Sequence, residues 1–177
     1  VEDRYGRVLK SLSIDSREIK DESLIYLLRD LMRSVVDEGT GGSLRWKYKF
    51  NRPAAGKTGT TNSKADAWFV GFTPQIAIGI WIGLDDPSIS LGENQFGSSA
   101  ALPIFGNTIR EIYKSKAWPI ETWDMPDGII EKDICKETYN LPSRYCPLVK
   151  EIFLKSNKPE STCQEHKRAF DRFHKKN

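Results

Sequence analysis

Ala54-Ala55-Gly56-Lys57-Thr58-Gly59-Thr60-Thr61-Asn62 leads through a short polar link into Asp66-Ala67-Trp68-Phe69-Val70-Gly71-Phe72-Thr73-Pro74. The second stretch and residues 75–83 read as two strands joined by a tight turn at Thr73-Pro74, because both are runs of Val, Ile, Trp and Phe broken only by turn residues. Runs this apolar are expected of central strands covered on both faces. Lys57 to Thr60 is then read as a strand at the sheet edge. Along it, side chains alternate sides, so Thr58 and Thr60 share a face and Gly59 leaves room for a close backbone approach. A phosphate-binding loop would need Gly where Asn51 stands. It would also need a helix directly after Lys57-Thr58, for which Gly59-Thr60-Thr61-Asn62 is poor material.

Working outward, Leu24, Leu27, Leu28, Leu31, Val35 and Val36 recur at helical spacing between Asp21 and Glu38. This predicts a helix capped by Asp21, ended by Gly39, with its apolar stripe packed on the sheet. Gly39-Thr40-Gly41-Gly42-Ser43 reads as a loop, and Arg45 to Pro53 as a basic, aromatic approach to the key strand. Ser98 to Lys116 predicts a second helix burying Ala101, Leu102, Phe105, Ile109, Ile112 and Tyr113, with Pro103 in its first turns. Tyr5 to Ile14 suggests a short hairpin around Gly6-Arg7. Asp85-Asp86-Pro87 reads as a turn, since adjacent carboxylates on an extended chain point to opposite sides. Asp66 and the Trp68-Phe69 pair are assigned to shaping the loop and the core. The fold class is α+β: an antiparallel sheet flanked by helices.

The 177 residues, 38% hydrophobic and 11% aromatic, suffice for a packed domain and exclude a disordered chain. A net charge of +3, with the basic residues gathered mainly near the end and no accompanying fold motif, argues against a nucleic-acid partner. The longest apolar run, Ile76 to Leu84, contains glycines and falls well short of the ~20 residues that span a bilayer. Neither histidine sits in a Ser-His-acid pattern. Residues 126–177, with sparse apolar periodicity and a charged end, read as a small irregular extension beside a first unit at 1–125.

Five blocks in order resemble the C-terminal half of the transpeptidase domain of class A (bifunctional) penicillin-binding proteins. They are Val35-Val36-Asp37-Glu38-Gly39-Thr40-Gly41, the Ala55-Gly56-Lys57-Thr58-Gly59-Thr60-Thr61 block, Asp66-Ala67-Trp68-Phe69-Val70-Gly71, Gly79-Ile80-Trp81-Ile82-Gly83 with Asp85-Asp86, and Ala100-Ala101-Leu102-Pro103-Ile104-Phe105. Lys-Thr-Gly is one of three signatures of penicillin-recognising serine acyl transferases. The others, Ser-x-x-Lys and Ser-x-Asn or Tyr-x-Asn, are absent from the sequence. The resemblance implies a partial penicillin-binding-protein/serine β-lactamase-like fold and D,D-transpeptidase chemistry on D-Ala-D-Ala stem peptides of peptidoglycan, with β-lactams as covalent inhibitors. Serine acyl transfer needs an activated hydroxyl, oxyanion donors and a hold on the substrate carboxylate. Here Lys57 would supply positive charge, Thr58 and Thr60 hydroxyl donors, Gly59 close approach, and the Thr60 backbone N–H one oxyanion donor. The nucleophile, a glycosyltransferase region and a membrane anchor would lie upstream in the same polypeptide, outside the cytoplasm, and the isolated chain would be inactive. No cofactor or metal is implied. A non-catalytic penicillin-recognising sensor or scaffold would share the same strand.

Cys135, Cys146, Cys163 and His166 all fall in the extension. Cys163-x-x-His166 with two further cysteines could form a structural zinc site, although the separation of Cys135 from Cys146 is not that of a metal knuckle. A staple would suit a small unit with little core in an extracytoplasmic setting. Cys146-Pro147, Glu151-x-Phe153, Pro159 and Cys163-x-x-His166 resemble that family's C-terminal extension, and the favoured reading is a Cys146–Cys163 disulfide with Cys135 left over.

Overall fold

The computed structural model describes residues 3–8 and 21–166. Helix α1 (Glu22–Asp37) starts where Asp21 accepts the Leu24 N–H on its side chain at 3.0 Å, satisfying one of the donors a helix start leaves free. It stops as the Glu38 and Gly39 N–H groups turn back to the Ser34 carbonyl. A short helix, α2 (Ser43–Trp46), follows in the predicted loop. Strands β1 (Ala55–Thr60), β2 (Asp66–Phe72) and β3 (Ala77–Gly83) form an antiparallel sheet in the order β1-β2-β3. The β2–β3 turn is closed by Thr73 N–H donating to the Ile76 carbonyl at 2.8 Å. After it come a single π-helical turn (Gly97–Ala101), helix α3 (Leu102–Lys116), and a separate antiparallel hairpin of β4 (Ile129–Cys135) and β5 (Leu148–Leu154).

The helices lie on one face of the three-stranded sheet. Val36, Leu44, Tyr48, Phe50, Phe69, Leu102, Phe105, Ile109 and Tyr113 form the core there, with Ile78, Ile80 and Ile82 of β3 packed against it. Phe69 meets Phe105 edge-on at 4.7 Å between ring centres, a geometry worth about 0.5–1.5 kcal/mol beyond area burial. This contact leaves no room above Gly71, where an added Cβ would lie 2.6 Å from the Phe105 ring. Tyr113 locks the end of α3 to the β2–β3 turn, its hydroxyl bonding Thr73 Oγ1 at 2.7 Å and Gln75 Oε1.

Among the described residues nothing covers the other face of the sheet, contrary to the expectation from sequence. β2 alternates strictly between buried and exposed residues, and Trp68, Val70 and Trp81 are 43, 44 and 47% exposed. Side chains from both faces of these strands are apolar, so composition alone hid a period-2 pattern. The α1 stripe is likewise only partly packed. Val36 is buried, whereas Leu24, Leu28 and Leu31 are exposed, because the helix meets β1 through part of its surface while its first turns run toward the C-terminal hairpin. The helix expected over 98–116 is a π-helical turn (Gly97–Ala101) followed by α3, and Ile112, expected on its buried face, is only partly buried. The turn expected at Asp86 is present, its carboxylate accepting from the Ser88 N–H and hydroxyl. Those bonds hold the Asp86 carboxyl below its ordinary range. The suggested hairpin at 5–14 lies mostly outside the described residues. Its described part is a turn in which Gly6 adopts φ +79°. The extension, expected to be irregular, carries the β4–β5 hairpin.

Candidate functional site: the edge of strand β1

Among the described residues, β1 is an edge strand, paired on one side only. In an antiparallel pair, one residue's N–H and C=O point the same way, and successive residues alternate. The Thr61 N–H donates to Asp66 O at 3.2 Å, toward β2. The N–H and C=O of Thr60 and of Thr58 therefore point away from the sheet, to the free edge, where an exposed strand offers unpaired backbone groups.

The side chains follow from the register. Thr58 and Thr60 stand opposite Phe69 and Ala67, on the helix-covered face, while Lys57 and Gly59 stand opposite Val70 and Trp68, on the open face. Thr58 Oγ1 lies 3.0 Å from Thr40 Oγ1, in the loop after α1. Thr60 Oγ1 accepts the Gly97 N–H at 3.1 Å, which leaves its own hydroxyl proton available to a ligand. Lys57 Nζ reaches back to the Thr58 carbonyl at 2.7 Å, so its charge sits beside the same edge. Asp66 accepts from Trp81 Nε1 at 2.8 Å across the open face. Sequence reasoning overlooked the two residues that seat the threonines. Thr40 lies in the Gly39-Thr40-Gly41 turn after α1, and only its position before a helix marks Gly97.

Gly97 packs against the paired strands so closely that a Cβ there would lie 2.3 Å from the Trp68 carbonyl oxygen and 2.8 Å from that of Gly59. The π-helical turn thus rests directly on the β1–β2 ladder, and any side chain at 97 would push it off. An edge carrying two outward N–H groups, a lysine and two hydroxyls can bind an extended peptide or an acyl group with a carboxylate.

A family model for the penicillin binding protein transpeptidase domain matches residues 10–110. This chain belongs to the penicillin-binding protein transpeptidase family. Residues 125–168 match a second model, for the C-terminal domain of penicillin-binding protein 1A. The chain is 34% identical over 163 residues to penicillin-binding protein 1A of Aquifex aeolicus, covering 92% of this chain and 22% of that protein. To the protein of the same name from Clostridium tetani it is 32% identical over 176 residues, again 22% of the relative's length. The crystal structure of penicillin-binding protein 1A from Haemophilus influenzae superimposes with a TM-score of 0.71 at 27% identity, over 80% of this chain and 21% of that one. The chain therefore spans about a fifth of the length of the relatives it matches. Its mixed helices and antiparallel sheet are those of a penicillin-binding-protein fragment.

The extension departs from the favoured disulfide. Cys135, Cys146 and Cys163 are all free, and no Cys146–Cys163 bond exists. Instead the sulfurs of Cys135, Cys146 and Cys163 lie 3.5, 3.4 and 3.3 Å from His166 Nδ1. Drawing Cys163 into a bond with Cys146 would pull it from this shared centre. The buried Thr138 hydroxyl, otherwise unpartnered, and then the His166 backbone N–H bring Cys163 down to about 6. Burial pushes Cys135 up, but bonds from Thr138 and Glu137 outweigh it and leave the thiol below its ordinary value. Burial raises Cys146, and the Cys163 sulfur chiefly raises His166.

Proposed function

We propose that the chain is the substrate-holding part of a peptidoglycan D,D-transpeptidase, acting by serine acyl transfer on D-Ala-D-Ala stem peptides. The observation that carries this reading is the free edge of β1, where Thr60 and Thr58 turn their backbone groups outward beside Lys57 in a Lys-Thr-Gly-Thr strand. A serine hydroxyl supplied by another part of the polypeptide attacks the penultimate D-Ala carbonyl. Its proton passes to a base, which returns it to the leaving nitrogen as the peptide C–N bond breaks; D-Ala leaves as the amine, and an ester links the serine to the peptide. An amine from a second stem peptide then attacks the ester, its proton passing through the base to the serine oxygen, which is released as the cross-link forms.

In these steps the Thr60 N–H donates to the oxyanion, where a preorganised donor in a water-poor site counts most. The Thr58 and Thr60 hydroxyls and the Lys57 charge hold the substrate's terminal carboxylate, or the carboxylate of a β-lactam that acylates the serine without release. Gly59 keeps the strand bare for the incoming backbone. The open face carrying Lys57, Trp68, Val70 and Trp81 takes the nucleophile-bearing part, since exposed apolar patches of this kind mark interfaces.

Residues 1–125 form the transpeptidase portion and 126–177 the extension. The protein works on the outer side of the cytoplasmic membrane, held by an anchor elsewhere in the polypeptide. Among the described residues, no helix is long and apolar enough to cross a membrane.

The test is Lys57→Ala in the longer protein, followed by acylation with a fluorescent penicillin. Loss of a contact strengthened in the transition state slows acylation by on the order of 10²-fold. An unchanged rate reduces the strand to a structural role.

A further inference from the structure

Cys135, Cys146 and the Cys163-x-x-His166 pair are separated in sequence but converge because the β4–β5 connection folds on itself. Lys136 N–H donates to Pro147 O and Cys135 N–H to Asn140 O, both at 2.8 Å, which brings the end of β4 beside the start of β5. The C-terminal segment is pinned to that loop by Leu141 N–H to Ser161 O at 2.9 Å and Cys163 N–H to Leu141 O at 2.8 Å. One ligand-type atom from each of Cys135, Cys146, Cys163 and His166 then falls within 4.8 Å of all the others.

Hydrogen bonding among these groups does not account for the arrangement. Nδ1 of an imidazole carries either one proton or one lone pair, yet sulfurs stand at 3.5, 3.4 and 3.3 Å from it. Nδ1 can satisfy one of them. A cation at the centre satisfies all: with Zn–S of about 2.3 Å and Zn–N of about 2.1 Å at tetrahedral angles, each N···S edge is about 3.6 Å. The observed edges fall within a few tenths of an ångström of that value.

We propose that Cys135, Cys146, Cys163 and His166, through Nδ1, bind one structural Zn²⁺ ion. Soft thiolates with one imidazole and no open position are the donor set of a structural zinc centre rather than a catalytic one. On binding, the thiols release their protons to solvent and Zn–S bonds replace the S–H bonds, with no change of oxidation state. The imidazole keeps its proton on Nε2, which faces Glu137 Oε2 at 3.2 Å. That carboxylate fixes the tautomer and turns Nδ1 toward the sulfurs, the outer support that metal-bound histidines commonly have. Ser143 serves Cys146 similarly, its N–H and hydroxyl each 3.2 Å from the sulfur.

The inference also explains the extension's small core. A two-stranded hairpin alone is marginal in water, and the fully buried side chains of this part include Cys135 and Cys163 beside Ile134. Metal binding supplies the missing folding energy. None of this depends on the role assigned to Lys57 to Thr60.

The experiment is metal analysis of the purified protein after equilibration with Zn²⁺ under reducing conditions and removal of free ion, alongside its Cys146→Ser variant. Cys146 is only partly buried, so this variant tests coordination with little loss of packing. The expected result is one zinc per chain, with the cysteines inert to a thiol reagent until a chelator removes the metal. Exchange with Co²⁺ gives the intense visible bands of a tetrahedral thiolate site. In Cys146→Ser, zinc affinity falls by on the order of 10²-fold or more. Zinc below about a tenth of an equivalent, or a Cys146–Cys163 disulfide in protein isolated without reductant, overturns the proposal.

Discussion

Gly97→Ala is the substitution whose cost follows most directly from the structure. The new methyl carbon would stand 2.3 Å from Trp68 O, 2.8 Å from Gly59 O and 3.1 Å from Gly59 N. All are backbone atoms of two paired strands, so no flexible side chain can swing away to relieve the clash. Overpacking of this kind costs about 1–3 kcal/mol. Lifting the π-helical turn also breaks the Gly97 N–H bond to Thr60 Oγ1 at 3.1 Å, worth about 1 kcal/mol. The sum is about 2–4 kcal/mol, a fall in Tm of roughly 4–16 °C for a chain of this size. Urea and thermal unfolding followed by tryptophan fluorescence measure it, since Trp68 and Trp81 are carried by the strands of the sheet on which the turn rests. Gly79→Ala is the control: the nearest atom to its added carbon is Val70 Cγ2 at 3.8 Å, an ordinary contact, and its effect stays within about 0.5 kcal/mol. If the two variants unfold alike, the close seating of residue 97 on the β1–β2 ladder is wrong, and with it the account of how Thr60 is held.

Tyr113→Phe leaves the buried Thr73 hydroxyl and Gln75 short of a partner and lowers unfolding free energy by about 1–2 kcal/mol, read from a urea midpoint at unchanged slope. In the extension, Glu137→Gln weakens the restraint on His166 Nε2 and reduces zinc affinity by about 10–100-fold, read by competition with a chromogenic chelator. Glu137 is exposed, so unfolding temperature measured with saturating metal stays near that of the unaltered protein.

The readable part of this molecule was where local pattern and pairing agree. Lys57 to Thr60 could be placed on an edge strand because two longer apolar strands with a turn follow it, and α1 because a capping Asp21 precedes a helical stripe. Which surfaces end up covered was not readable. Trp68 and Phe69 are neighbours with equal claims on a core, yet the register sends Phe69 under Phe105 and leaves Trp68 in the open. The same holds for Leu28 and Val36 on α1. In the extension, Ile129-Ile130 and Leu148-Val149 with Ile152-Phe153 carried a strand signal that the intervening charges and prolines masked. Cys135 and Cys146 looked too far apart for one site because sequence distance stood in for space, and a folded-back hairpin connection makes the two independent.

The most direct test of the central assignment is to treat the longer protein and this chain alone with a fluorescent penicillin, and to map the acylated residue by peptide mass spectrometry. The account predicts an ester on a serine outside residues 1–177 in the longer protein and no covalent label on the isolated chain, because Lys57 to Thr60 position the acyl group without attacking it. A stoichiometric adduct on any serine of this chain contradicts it.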